Sequence, residues 1–175
     1  PYNGQEAVNK ARAKLLDSRL VLTGNLFYTD YRDFQSSVMD YLNGRPIGSV
    51  LINADKAESY GTELGADYQI FDNLRLRGRL GLLHTEISKF ADYRGNSFEG
   101  KEFGKAPGYM FSLGADWNIT DKLRQSGDLR HTDRYFSNDQ NAPELRVRAF
   151  TVANFRLSYT PTEKHELFAY VNNAF

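Results

Sequence analysis

The sequence predicts an all-β fold, an antiparallel up-and-down transmembrane β-barrel with about eight strands present, on three observations. The first is alternation. Leu74, Leu76, Gly78, Leu80 and Leu82 fall on one face of a strand, and Arg75, Arg77, Arg79, Gly81 and Leu83 on the other, because successive side chains of a strand point to opposite sides. The second is that this pattern recurs along the chain with aromatic residues near the ends of the apolar faces, as a sheet facing lipid on one side and a polar lumen on the other requires. The third is that short polar turns alternate with long loops, the arrangement of outer-membrane barrels, with periplasmic turns and extracellular loops.

Composition is compatible with this and excludes several alternatives. No stretch approaches the ~18–20 consecutive apolar residues of a membrane helix. A hydrophobic fraction of 41% and a mean hydropathy of −0.58 are what alternation leaves in a barrel wall. Lys+Arg and Asp+Glu both number 22, so no global field points to nucleic acid. The absence of cysteine removes disulfides, thiol catalysis and thiolate metal sites. The sequence begins at Pro1 with neither an initiator Met nor a signal peptide, which reads as a mature chain or a fragment.

Taken in order, residues 5–16 alternate Ala11, Ala13 and Leu15 with Lys10, Arg12 and Lys14, a composition that suits a helix equally. Residues 20–31 place Leu20, Leu22, Gly24, Leu26 and Tyr28 on one face. Residues 60–70 place Tyr60, Leu64, Ala66, Tyr68 and Ile70 against Gly61, Glu63, Gly65, Asp67 and Gln69. The 74–83 strand follows. Next, Tyr109, Phe111, Leu113, Ala115 and Trp117 alternate with Met110, Ser112, Gly114 and Asp116. Residues 123–135 have one plainly lumenal face, Arg124, Asp128, Arg130 and Arg134, opposite a mixed one in which Gln125 and His131 join Leu123 and Leu129. Ala153, Phe155, Leu157 and Tyr159 form a further strip, and the last run, from Leu167 to Val171, is apolar on both sides.

Short turns are expected at Asp17 and Ser18, at Asp72 and Asn73, at 120–122 and at 161–164, all rich in turn-forming residues. Long loops are expected at about 33–49, 88–107 and 137–146. Phe71, Tyr68, Trp117 and Tyr159 near the short turns, and Tyr28, Tyr31, Tyr60, Tyr109 and Tyr135 near the loops, make two interfacial girdles. The strand count leaves both chain ends on the extracellular side, whereas bacterial barrels keep both termini periplasmic. The single barrel domain, residues 1–175 without a plug, therefore looks cut from a larger barrel or re-engineered from one.

Specific residues then point to a family. Leu26-Phe27-Tyr28-Thr29-Asp30-Tyr31, followed by Asn53-Ala54 and Gly61-Thr62-Glu63-Leu64, resembles the "FYxDY … NA … GxEL" run of TonB-dependent outer-membrane receptors of the siderophore class. Gly100-Lys101 with Ala106-Pro107 ahead of an alternating strand, and Phe168-Ala169-Tyr170-Val171-Asn172-Asn173-Ala174-Phe175, are similar to that family's "G … aP" and "v-N-L-F-D" stretches. The resemblance spans about residues 15–175 and matches the C-terminal part of the receptor barrel. It implies a bacterial outer-membrane location and contact with outer-membrane lipid. It also implies a ferric siderophore or similar chelate as cargo of the full receptor, a barrel of about 22 strands around a plug, and an inner-membrane energy-coupling protein engaged through an N-terminal part that this sequence lacks. Departures are the missing plug and coupling segment, the missing closing strand, Ala174 in place of Leu, Gly65 where a second acid is frequent, and a first strand without the Gly-aromatic pattern.

Two groups of candidate site residues follow. Arg75, Arg77 and Arg79, with Glu63 and Asp67 on the facing strand, are lumen-facing. A hairpin closing at Asp72 and Asn73 brings the acids within direct or diagonal reach of Arg77 and Arg79, so structural ion pairing competes with attraction of an anionic chelate. In the loops, Tyr41, Arg45, Tyr93, Arg94, Arg134 and Tyr135 offer aromatic faces and guanidinium donors suited to a catecholate or hydroxamate chelate. The same tyrosines also fit a girdle. His84, His131 and His165 lie apart, so no metal or other cofactor is expected. No nucleophile elbow, phosphate loop or acid pair appears, and Ser126 and His131 fall on opposite faces, so no catalytic residue and no enzyme activity are expected. The competing reading is a self-contained small barrel, engineered or natural, with a structural or scaffold role. Eight strands enclose only enough room for their own side chains, and the small interior residues Gly61, Gly65, Gly81, Ser112 and Gly114 fit either a wide wall against a plug or a narrow barrel packed around arginine.

Overall fold

The computed structural model describes residues 3–42, 45–89 and 97–174. Eight strands form one antiparallel sheet: β1 (Asn3–Leu15), β2 (Leu20–Leu42), β3 (Arg45–Phe71), β4 (Leu74–Lys89), β5 (Tyr109–Asn118), β6 (Leu123–Thr132), then β9 (Phe150–Thr162) and β10 (His165–Val171). Two short strands, β7 (Tyr135–Phe136) and β8 (Arg146–Val147), pair with each other in the connection between β6 and β9. Neighbours in the chain are neighbours in the sheet, in the order β1-β2-β3-β4-β5-β6-β9-β10. This meander needs only hairpin connections. The sheet is open, with β1 at one edge and β10 at the other.

Residues 5–16, which suit helix or strand by composition, are a strand because β2 offers a thirteen-pair ladder from Asn3↔Arg32 to Leu15↔Leu20. That ladder puts Ala11, Ala13 and Leu15 beside Gly24, Leu22 and Leu20. The turn that follows holds Leu16, Asp17 and Ser18 at φ of 53°, 54° and 69°. Such left-handed backbone costs a non-glycine residue about 1 kcal/mol or more, and it is held by Arg19 N–H donating to the Leu16 carbonyl at 2.9 Å.

The largest departure from expectation lies between β2 and β3. Residues 33–49 are expected as a loop, but the two strands stay paired out to Leu42↔Arg45, with one register shift after Asp40. The sequence of the connection is Asn43-Gly44, the dipeptide most favoured in two-residue hairpins. Between β9 and β10 the turn is likewise shorter than 161–164, since β9 runs through Thr162 and β10 starts at His165.

Register sorts the side chains into two faces. At mid-height Gly24, Leu64, Leu80, Phe111, His131 and Thr151 are successive partners on the apolar face. Leu76 and Leu113 share that face, whereas Arg75, Arg77, Arg79, Asp67 and Asp116 share the other. His131, polar among apolar neighbours, is satisfied in the plane of the sheet. Its ring stacks between Tyr109 and Phe111, and Nδ1 lies 2.8 Å from the Thr151 hydroxyl.

Candidate functional site

The polar face is built from alternate residues of every strand, and its lower half is a lattice of shared carboxylates. Asp67 on β3 accepts from Arg75 at 3.1 Å and Arg79 at 2.6 Å on β4. Asp116 on β5 accepts from Arg77 at 2.8 Å and from Arg124 on β6 at 3.1 Å. Arg77 sits directly opposite Asp67 in register, yet it reaches across to Asp116, because the two diagonal arginines already fill Asp67. Glu63, expected to meet an arginine, accepts from Asn25 of β2 at 3.1 Å. Gly65 leaves room for Arg79 to lie across the face toward Asp67: a Cβ there would come 3.2 Å from the Arg79 Cδ and crowd the Thr23 hydroxyl. About half of each of these arginine side chains is exposed, so each pair contributes less than about 1 kcal/mol.

Above the lattice the same face has a hollow of about 870 Å³, whose charged lining includes Lys10, Arg12, Glu63, Arg79 and Arg130 over a floor of Gly65, Gly81 and Ser112. This side of the sheet is thus concave, cationic in balance and floored by small residues.

At the long-loop end, the loop 97–108 folds back onto the polar face. Phe98 and Ile87 are buried together, with Phe34 and Phe103 packed against them. Phe34 and Phe103 stack at 4.6 Å, and Tyr31 meets both edge-on at 5.7 Å. The loop is tied down by a bridge between Ile87 and Lys101 and by Phe103 N–H donating to the Thr85 hydroxyl at 3.0 Å. Tyr31, placed in the girdle by proximity to a loop, belongs instead to this polar-face cluster, since it pairs in register with Ala57, which pairs with Ile87.

The same loop is stapled to the connection 133–149. Asn141 donates from its side-chain amide to the Glu102 carbonyl at 2.8 Å and accepts from the Glu102 N–H at 2.8 Å. Asp139 accepts from Gly104 N–H at 2.6 Å, and Lys105 N–H donates to the Phe136 carbonyl at 2.6 Å. Gly104 is required for the approach, because a Cβ there would lie 2.8 Å from the Asn138 backbone.

The loop residues proposed from sequence do not form one cluster. Tyr41 and Arg45 lie near the tip of the β2–β3 hairpin, with Tyr41 opposite Pro46 and Arg45 opposite Leu42. Eleven residues separate Arg45 from Lys56, the level at which β4 ends, or about 36 Å of strand. Arg134 is exposed just beyond β6, and Tyr135 is half-buried opposite Val147 in the β7–β8 pair. Tyr93 and Arg94 lie outside the described residues. Sequence reasoning missed Phe34, Phe98, Phe103 and the Asn138–Asn141 staple. The available signal was two phenylalanines within a loop of charged and glycine residues, where solvent exposure would be unfavourable.

Comparison with known proteins adds two findings. The family model described as "TonB dependent receptor-like, beta-barrel" matches residues 10–174. Among solved structures, the siderophore receptor PiuA from Acinetobacter baumannii superposes with a TM-score of 0.77 at 17% identity, over 97% of this chain and 24% of that one. The ferric yersiniabactin uptake receptor FyuA from Yersinia pestis gives 0.78 at 19%, over 99% and 25%, and the copper transporter OprC gives 0.74 at 16%, over 99% and 25%. The chain spans about a quarter of the length of these structures.

Proposed function

Because the chain belongs to the TonB-dependent receptor-like β-barrel family, we propose that it is a wall segment of a bacterial outer-membrane receptor that imports a ferric siderophore or a similar chelate. It has no enzymatic role in this reading. The aliphatic face meets outer-membrane lipid, the arginine face lines the lumen, and energy comes from an inner-membrane coupling protein through another part of the receptor. The observation that carries the reading is the hollow on the arginine face, lined by Lys10, Arg12, Arg79 and Arg130 and lying below two stapled loops. A cationic, glycine-floored concavity beneath an ordered mouth is what a receptor for an anionic chelate presents to its cargo.

The cargo-facing residues in this reading are the loop groups Tyr41 and Arg45 on the hairpin arm, Tyr93 and Arg94, and Arg134 and Tyr135 at the base of the second loop. Ferric chelates fit the names carried by PiuA and FyuA, while the name of OprC marks copper as the competing cargo on the same fold. The self-contained eight-stranded barrel is disfavoured by the edges. Closure requires β1 to pair with β10, yet both are sheet edges, and their described side chains are exposed throughout.

The test is uptake of radio-iron by the source organism with and without the encoding gene, using catecholate and hydroxamate chelates in parallel, with labelled copper as the alternative cargo. Loss of uptake of at least one ferric chelate is the expected result. Unchanged iron uptake with lost copper uptake moves the assignment to copper, and no change in either removes the import reading.

A further inference from the structure

Above the lipid-facing strip, the apolar face changes character in two steps. The last aromatic row is Tyr28, Tyr60 and His84, successive partners in register, with Tyr28 and Tyr60 stacked at 6.4 Å and the Tyr60 and His84 rings tilted against each other at 4.7 Å. Two residues further along each strand comes a row of acids, Asp30, Glu58 and Glu86, and two further still on β2 and β3 come Arg32 and Lys56, with Lys89 opposite Lys56 across a register shift.

Strand geometry gives these rows a height. From Leu74, beside Trp117, to His84 is ten residues, which is about 34 Å of strand and about 26 Å of rise at a tilt near 40°. The apolar band of a transmembrane barrel is about 25 Å tall, so the tyrosine row ends the hydrocarbon and the charged rows stand among headgroups.

The acids have partners within the protein. Glu58 accepts from the Tyr28 hydroxyl at 3.0 Å, Glu86 faces His84 at 3.7 Å, and Asp30 lies a loose 3.8 Å from Arg32. They brace the aromatic row from above. The Arg32 side chain is 67% exposed and Lys56 is exposed.

We propose that this patch, the Tyr28–Tyr60 aromatic row topped by Arg32 and Lys56, binds the phosphorylated headgroup of an outer-leaflet lipid. The proposal rests on the membrane reading above. A guanidinium donates two parallel hydrogen bonds to one phosphate, an ammonium adds a point charge beside it, and the tyrosine rings pack on the adjoining acyl and glycerol or sugar portion.

The experiment is native mass spectrometry of the whole receptor that contains this wall segment, released from vesicles of phosphatidylcholine containing one-quarter phosphatidic acid. It compares the wild type, the double variant Arg32→Gln/Lys56→Gln, and Arg75→Gln on the opposite face. Wild type and Arg75→Gln retain phosphatidic acid in preference to phosphatidylcholine. The double variant loses that preference roughly twenty-five-fold, about five-fold for each charge removed, while its circular dichroism stays that of the wild type. Equal retention by double variant and wild type overturns the proposal, as does displacement of the lipid by millimolar inorganic phosphate, which would mark a free-anion site. Failure of every variant, wild type included, to enter vesicles overturns the membrane reading itself and so separates the two failures.

Discussion

The two halves of the polar face are made by different physics. Near the short turns, Asp67 and Asp116 each bridge two arginines on neighbouring strands, all half-exposed, so the lattice contributes little stability and is held by strand register. Near the long loops, Ile87 and Phe98 are buried under a loop returning from outside the sheet, at 0% and 3% exposure. There the loop is held by apolar burial and by hydrogen bonds to a second loop. The lower half is a property of paired strands. The upper half exists only because loop 97–108 comes back.

The sharpest way to break the comparison is Phe98→Ala. Truncating this buried ring is expected to cost about 3–5 kcal/mol, read by urea unfolding in detergent. A loss below half a kcal/mol would mean that the loop cluster is not a core. Next comes Leu80→Arg, at the mid-height of the apolar face between Leu64 and Phe111. In lipid it is expected to cost roughly 2–4 kcal/mol, and an unchanged stability would show that this face does not meet hydrocarbon.

Asn141→Ala sharpens the upper half. It strips partners from both the N–H and the C=O of Glu102, a loss of about 1–3 kcal/mol. Hydrogen exchange at Glu102, Gly104 and Lys105 should accelerate while exchange in the β4–β5 ladder stays as it was. If the loop amides keep their protection, the two loops are not coupled through this residue. The smallest effect is expected for Asp67→Asn, which weakens two exposed pairs and should change stability by less than about 1 kcal/mol. A larger loss would make the lattice a structural element in its own right.

How much of this was legible beforehand depended on range. The alternation of leucine with arginine at 74–82 identifies both the strand and its two faces, because a strand's period of two is a local property. The same logic placed Asp67 within direct or diagonal reach of Arg77 and Arg79, but not which of them it takes: Asp67 pairs with Arg79 and Arg75 while Arg77 turns to Asp116, a competition decided among three strands at once. For residues 33–49, polar composition suggested a loop, whereas pairing with a facing strand and an Asn-Gly connection made a hairpin arm. The candidate residues Tyr41 and Arg45 ride on that arm, well away from Arg134 and Tyr135.

Sequence by itself therefore determined most of the strands, their order as a meander, the two faces and the family. Each is encoded within ten or so residues, or in the spacing of such segments. Tertiary structure alone decided that the eight strands leave an open sheet, that Tyr31 turns to the polar face beside Ile87, and that Phe98 and Phe103 fold inward while Asn141 clasps Glu102. Those outcomes depend on groups far apart in the sequence, 39 residues at the Asn141–Glu102 clasp. At such separations no local pattern records which polar group finds its partner, and burial and hydrogen-bond satisfaction make the choice only once the chain has come together.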